Sequence, residues 1–405
     1  MSVVPSGEIR ALSGLRIVAA VWVVLFHFRP LLQQASPPLS EALAPILDCG
    51  AQGVDLFFIL SGFVLTWNYL ERMGPAWSTR ATLHFLWLRL ARVWPVYLVT
   101  MHLAIAWLIF TLNVGNFPSP EAATLTGPNY LRQLFLIQLW VVPFFDNTSW
   151  DGPAWSISAE WLAYLLFGLL VIVLFRVAQA SRARTLLWLA FAATLPPLLF
   201  LAASGAFYTP WSWLPRIVLQ FTAGALACAA VRRLNLSDRG RTLAGVLSVV
   251  LLALIVGLVY WFDAHPISSI RDDFGLVDIF FLPLVVALSV GTGTLPALLA
   301  TRVMVYGGKV SFSLYMVHEL VHQSWIWAAA QYRIDMAPSW STKFVVLALL
   351  AGSFVGAVLL FHFVEEPARH WMRRMVGSAD SSKTVAGQRK LQAISDDDEP
   401  ATRAG

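Results

Sequence analysis

Residues 14–28 read GLRIVAAVWVVLFHF, an apolar run with an arginine near its start and a histidine near its end. Read as a helix, Arg16 and His27 stand eleven residues apart. At about 100° per residue that separation ends only about 20° past three full turns, so both side chains leave one face. The helical rise sets them roughly 16 Å apart along the axis. One elongated ligand could touch both. The run therefore predicts a membrane-crossing helix and a polar face upon it.

The rest of the chain supports the membrane reading. Of 405 residues, 58% are hydrophobic and 13% are charged, against roughly 25% charged in a soluble domain. Mean hydropathy is +0.67. Apolar stretches fall at about 12–28, 53–70, 93–112, 155–175, 186–203, 213–231, 242–262, 274–291, 310–330 and 343–364, each near the length that spans a bilayer. The expected fold is an all-α polytopic bundle of about ten spans with both termini cytoplasmic. In that arrangement 22 of the 28 Lys and Arg residues face the cytoplasm and 6 face outward, as the positive-inside rule requires. The first run is expected to be a retained helix in a multi-pass protein of a bacterial plasma membrane. Two cysteines, Cys49 and Cys228, make no disulfide framework. No nucleic-acid-binding motif is present.

Two regions stand outside this pattern. Residues 130–146, YLRQLFLIQLWVVPFFD, are apolar but interrupted by Pro143, and are expected to form a re-entrant or interfacial segment. Residues 377–405 are small, polar and charge-mixed, the composition of a disordered cytoplasmic tail. The Pro-, Gly-, Asn- and Thr-rich loop around 113–130 is expected to overhang a substrate entrance.

Ionisable residues inside a membrane mark functional sites. His27 near the outer end of the first span and Asp55 near that of the second are expected to meet. The carboxylate would fix the imidazole tautomer and raise its basicity; the alternative is a buried pair that only ties two helices. At the inner end, Arg16 approaches Arg89 and Arg92 of RLARVWP, two neighbours on one helical face. Three guanidiniums there suit a polyphosphate, or serve as cytoplasmic anchors. In WSISAEW, Trp155, Ser158 and Glu160 could frame a polar pocket, or an aromatic belt could account for the tryptophans. No Gly-x-Ser-x-Gly elbow is present, and Ser61 in LSGF is read as an aid to close helix packing. The string HELVH at 318–322 matches the zinc motif H-E-x-x-H, yet the further aspartate ligand of intramembrane metalloproteases is missing downstream, and no metal is expected. His318 remains a polar candidate in mid-span.

Six motifs in order carry a resemblance: Arg16-x10-His27, GVDLFFILSGF at 53–63, RLARVWP at 89–95, WSISAEW at 155–161, GKVSFSLYMVH at 308–318 and VEEP at 364–367. Together they resemble the membrane-bound acyltransferase-3 family, over residues 12 to about 370. The resemblance implies transfer of an acyl group from cytoplasmic acyl-coenzyme A to a hydroxyl of a carbohydrate, glycolipid or similar cell-envelope acceptor. Acyl-coenzyme A is then a co-substrate, and no cofactor is implied. It implies a catalytic His27 with Asp55 and Glu160, a donor site of Arg16, Arg89 and Arg92, and an acceptor site of Trp155, Ser158, Tyr315 and His318. Where the family commonly has a basic residue after the first glutamate of its last motif, this chain has Glu366. Which of Glu365 and Glu366 is functional stays open. The rival class is a membrane transporter of an anionic or glycosylated solute, with the same residues lining a passage.

Overall fold

In the computed structural model the described residues are 7–114, 120–145, 148–204, 206, 208–266 and 273–376. The predicted tail at 377–405 lies outside them, as do residues 115–119 of the outer loop. The helices are α1 (Arg10–Ala35), α2 (Pro37–Asp48), α3 (Gly53–Met73), α4 (Thr79–Val114), α5 (Gly127–Leu134), α6 (Trp155–Ala180), α7 (Ala183–Ser204), α8 (Trp213–Val231), α9 (Asp238–Ala264), α10 (Phe281–Val290), α11 (Thr294–Leu299), α12 (Arg302–Gln331) and α13 (Trp340–Leu360). No strand occurs among the described residues.

A helix stands at each of the ten apolar stretches. Eight are long and apolar enough to cross a membrane. The other two differ for visible reasons. The stretch at 274–291 enters α10 through a 3-10 segment, Asp273–Phe280. The 30-residue α12 carries a polar stripe of serines, histidines and Glu319 that lowers its hydropathy.

Close approach of backbones sets the site. A Cβ at Gly62 would lie 1.9 Å from the Phe221 carbonyl oxygen, and one at Gly224 would lie 2.0 Å from that of Ile59. Glycine on both partners thus lets α3 and α8 touch along their backbones. Between α1 and α12, a Cβ at Gly308 would lie 1.9 Å from the Ser13 carbonyl oxygen. These two contacts bring His27 to α12 and Asp55 to α8.

Of the segment at 130–146, the described residues 130–145 are helical only to Leu134. The chain then runs in turns with Leu136, Gln138 and Leu139 buried, and Leu136 holds a left-handed φ of 59°. Past α13 the chain passes through a π turn, Phe361–Glu365, before helix resumes to residue 376.

Candidate active site

Ser311, Tyr315, His318, Glu319 and His322 of α12 fall within an arc of about 100° on the helix. His318 is fully buried, and its Nε2 lies 3.1 Å from His27 Nδ1. His318 Nδ1 faces the Leu314 carbonyl at 3.2 Å, so the proton sits on that nitrogen and Nε2 is an acceptor. His27 Nδ1 faces the Val23 carbonyl at 3.0 Å as well as His318 Nε2. Both partners are acceptors, so His27 also carries its proton on Nδ1. The lone pair is left on His27 Nε2, which has no hydrogen-bond partner among the described residues. That tautomer suits a general base.

The expected His27–Asp55 bond is not formed. Asp55, fully buried in the first turn of α3, is gripped by a two-pronged fork from Arg216 of α8. Arg216 Nε donates to Oδ1 at 2.9 Å and Nη2 donates to Oδ2. Gln220 Nε2 donates to Oδ1 at 2.8 Å. A planar guanidinium outcompetes a neutral imidazole for a carboxylate because it offers two aligned, charge-assisted bonds. Nor does Glu160 touch His27. It accepts a hydrogen bond from the Ser61 hydroxyl and acts electrostatically on Arg16. Ser61 is therefore a hydrogen-bond donor to Glu160, and close packing belongs to its neighbour Gly62.

At the other end of α1 the three arginines do gather. Arg16, Arg89 and Arg369 lie within electrostatic reach of Arg92. Arg92 forms an ion pair with the fully buried Glu365, which also accepts from Ser313 Oγ at 2.8 Å. Arg89 Nη2 donates to the Tyr69 hydroxyl at 3.3 Å. The two glutamates of VEEP are thereby separated. The π turn aims Glu365 into the bundle, whereas Glu366, 38% exposed, meets Arg369 at 3.5 Å and His362 at 3.8 Å.

Between the two ends lies a cavity of about 60 Å³, lined by Arg16, Ser61, Ser156, Glu160, Ser311 and Tyr315 with phenylalanines around them. The Tyr315 hydroxyl donates to the Pro153 carbonyl at 3.0 Å and meets Ser156 Oγ at 2.8 Å. Its ring centroid lies 6.0 Å from that of His318. Two residues expected at the acceptor site have partners within the protein. Ser158 is fully buried; its hydroxyl donates to the Leu136 carbonyl at 2.8 Å and accepts from the Leu139 N–H at 3.3 Å, which anchors the irregular segment. His318 meets His27 itself. Trp155 stacks on Phe145 with centroids 4.4 Å apart.

The H-E-x-x-H pair does not converge either. His322 Nδ1 faces Glu319 at 3.5 Å, while His318 turns to α1. The groups that offer ligand atoms within 4.8 Å of one another are His27, His318 and Glu319. A metal there would have to break the His27–His318 hydrogen bond.

Sequence reasoning missed Arg216, the pairing of Arg92 with Glu365, and Arg369. Arg216 carried a signal, a cation within the apolar WLPRIVLQFTAG run, where a buried charge needs an opposite one.

Comparison with known proteins agrees with the motifs. A family model described as an acyltransferase domain matches residues 9–371. Acyltransferase MdmB of Streptomyces mycarofaciens is 27% identical over 398 residues, covering 92% of this chain and 95% of that protein. Protein 2 in the picA locus of Rhizobium radiobacter is 31% identical over 163 residues, 40% of this chain and 78% of that one. No solved structure matches. Group transfer therefore stands ahead of transport: the chain belongs to the acyltransferase-3 family of membrane acyltransferases.

Proposed function

We propose that this membrane acyltransferase moves an acyl group from cytoplasmic acyl-coenzyme A to a hydroxyl of a carbohydrate, glycolipid or similar cell-envelope acceptor. One observation carries the reading. A histidine with a fixed tautomer and an open Nε2 sits on the same helix face as Arg16, and a cavity lined by polar and aromatic side chains reaches from Arg16 to Tyr315, whose ring neighbours that of His318.

Arg16, Arg89 and Arg369 would hold the phosphates of coenzyme A, with Arg92 balanced by Glu365. The pantetheine arm would run along α1 past Ser61, Glu160 and Tyr315. A cavity of about 60 Å³ holds about two water molecules, so entry of the arm requires Phe57, Phe58 and Phe312 to swing aside. The thioester would then reach His27. Its Nε2 takes the acceptor's hydroxyl proton as the oxygen attacks the thioester carbonyl. The tetrahedral intermediate collapses, the carbon–sulfur bond breaks, and the thiolate takes the proton from the imidazolium. The products are an ester and free coenzyme A. His318 holds His27 in the tautomer that leaves Nε2 open. A variant route, with His27 itself carrying the acyl group, uses the same nitrogen.

The test is coenzyme A release by purified protein in nanodiscs, fed acetyl-coenzyme A with an envelope-glycolipid extract. Acceptor-dependent release is expected, with the KM for the donor raised about tenfold in Arg89→Ala. Release indifferent to acceptor, or an unchanged donor KM, counts against the reading.

A further inference from the structure

One group of buried polar atoms beside His27 is left over by this account. The loop before α6 lies against α12: a Cβ at Gly152 would sit 3.8 Å from Glu319 Cγ, and Tyr315 bonds to Pro153. Asp151 is 1% exposed, and neither of its carboxylate oxygens has a hydrogen-bond partner among the described residues. The nearby Thr100 hydroxyl donates instead to the Tyr97 carbonyl at 3.2 Å. Glu319 Oε2, 3.4 Å from His322 Nδ1, and His322 Nε2 are likewise buried without a hydrogen-bond partner among the described residues, and His322 is only 6% exposed. Glu319 also offers an oxygen within 4.8 Å of the His27 and His318 nitrogens. Among the described residues no lysine or arginine is shown paired with the group. The charge acting on Asp151 is that of Glu319, and Arg29 is engaged by Asp48 at 3.1 Å and by the Phe26 carbonyl at 2.7 Å.

Buried polar atoms without partners are rare because each forfeits its hydration. Four of them, on three residues, lie around one base, and those on Glu319 and His322 lack donors. His322 Nδ1 faces Glu319, so its Nε2 is an acceptor, as is Glu319 Oε2. Hydroxyl groups supply the missing donors, and several on one small scaffold supply them together. Burial pushes the Asp151 carboxyl up to about 8. At neutral pH it is an uncharged donor and acceptor, which matches a sugar hydroxyl better than an ammonium.

We propose that Asp151, Glu319 and His322 form a subsite for a polyhydroxylated acceptor, holding the hydroxyls that neighbour the one His27 deprotonates. The inference rests on the acyl-transfer reading and names the acceptor's chemistry within it. His27 and Glu319 keep partial exposure, which is the way in. The apolar cleft lined by Leu103, Trp107, Leu320, Ser324 and Trp325 opens on the opposite face of α12 and takes no part.

The test feeds the protein acetyl-coenzyme A with octyl glucoside, octyl galactoside or 1-octanol. The tail is shared, and only the glycosides present several hydroxyls. The wild type should favour the better glycoside over 1-octanol by about tenfold or more in kcat/KM. Asp151→Ala and Glu319→Ala should each bring that ratio toward one. A ratio is insensitive to a general loss of activity or folded fraction. A wild-type ratio near one, a ratio that survives both substitutions, or a stoichiometric metal ion that departs with Glu319→Ala overturns the subsite. Failure to release coenzyme A with any acceptor overturns acyl transfer itself, and the subsite with it, so the two failures read differently.

Discussion

Asp55 and Asp151 occupy comparable places. Each carboxylate sits at the start of a helix, and they are 0% and 1% exposed. Asp55 receives two bonds from Arg216 and one from Gln220. Asp151 receives none among the described residues. Equal burial thus serves opposite ends. A saturated carboxylate clamps α3 to α8, and a placed guanidinium offsets its cost of desolvation. An unsaturated one keeps its oxygens for a ligand, and the fold carries the penalty.

The largest effect should come from breaking the clamp. Arg216→Ala leaves a charge buried alone and should cost about 3–5 kcal/mol, read as a lower melting temperature in nanodiscs. The double variant Asp55→Leu with Arg216→Met should recover most of it. A melting temperature unchanged in Arg216→Ala would remove the clamp. Next come the two glutamates of VEEP. Glu365→Gln strands Arg92 and should cost about 2–3 kcal/mol, whereas Glu366→Gln, at a half-exposed pair, should stay within about 0.5 kcal/mol. Equal losses would mean that the π turn does not distinguish them.

Asp151→Asn should act in the opposite direction. Burial raises the Asp151 carboxyl from 3.8 to about 8, so the folded protein holds that proton more tightly than the unfolded chain. The penalty is absent below about pH 4, grows as the unfolded carboxyl ionises, and levels off above about pH 8. A neutral isostere escapes it. Asp151→Asn should melt a few degrees higher at pH 7 and with the wild type at pH 4. A lower melting temperature at pH 7 would show that Asp151 is a clamp after all.

Much of this was legible in the sequence, and the limit has a physical cause. Hydropathy located the ten helices because burial in lipid demands long apolar runs. Helical periodicity put Arg16 and His27 on one face, and both ends of that face meet other polar groups. Periodicity says which way a side chain leaves its own helix, not which helix waits there. The sequence therefore pairs Asp55 with the histidine of the preceding span, whereas close glycine packing brings α8 to it. The same gap hid His318 as the neighbour of His27 and Ser158 as an anchor. The separation of Glu365 from Glu366 depended on a π turn, for which VEEP carries no sequence signal.

The central claim is that His27 Nε2 performs the chemistry. The most direct measurement is acceptor-dependent coenzyme A release by His27→Ala beside the wild type, with both melting temperatures recorded. The account predicts a fall of roughly 10²–10⁴-fold with melting unchanged within a few degrees. Retained release by a folded His27→Ala protein would contradict it.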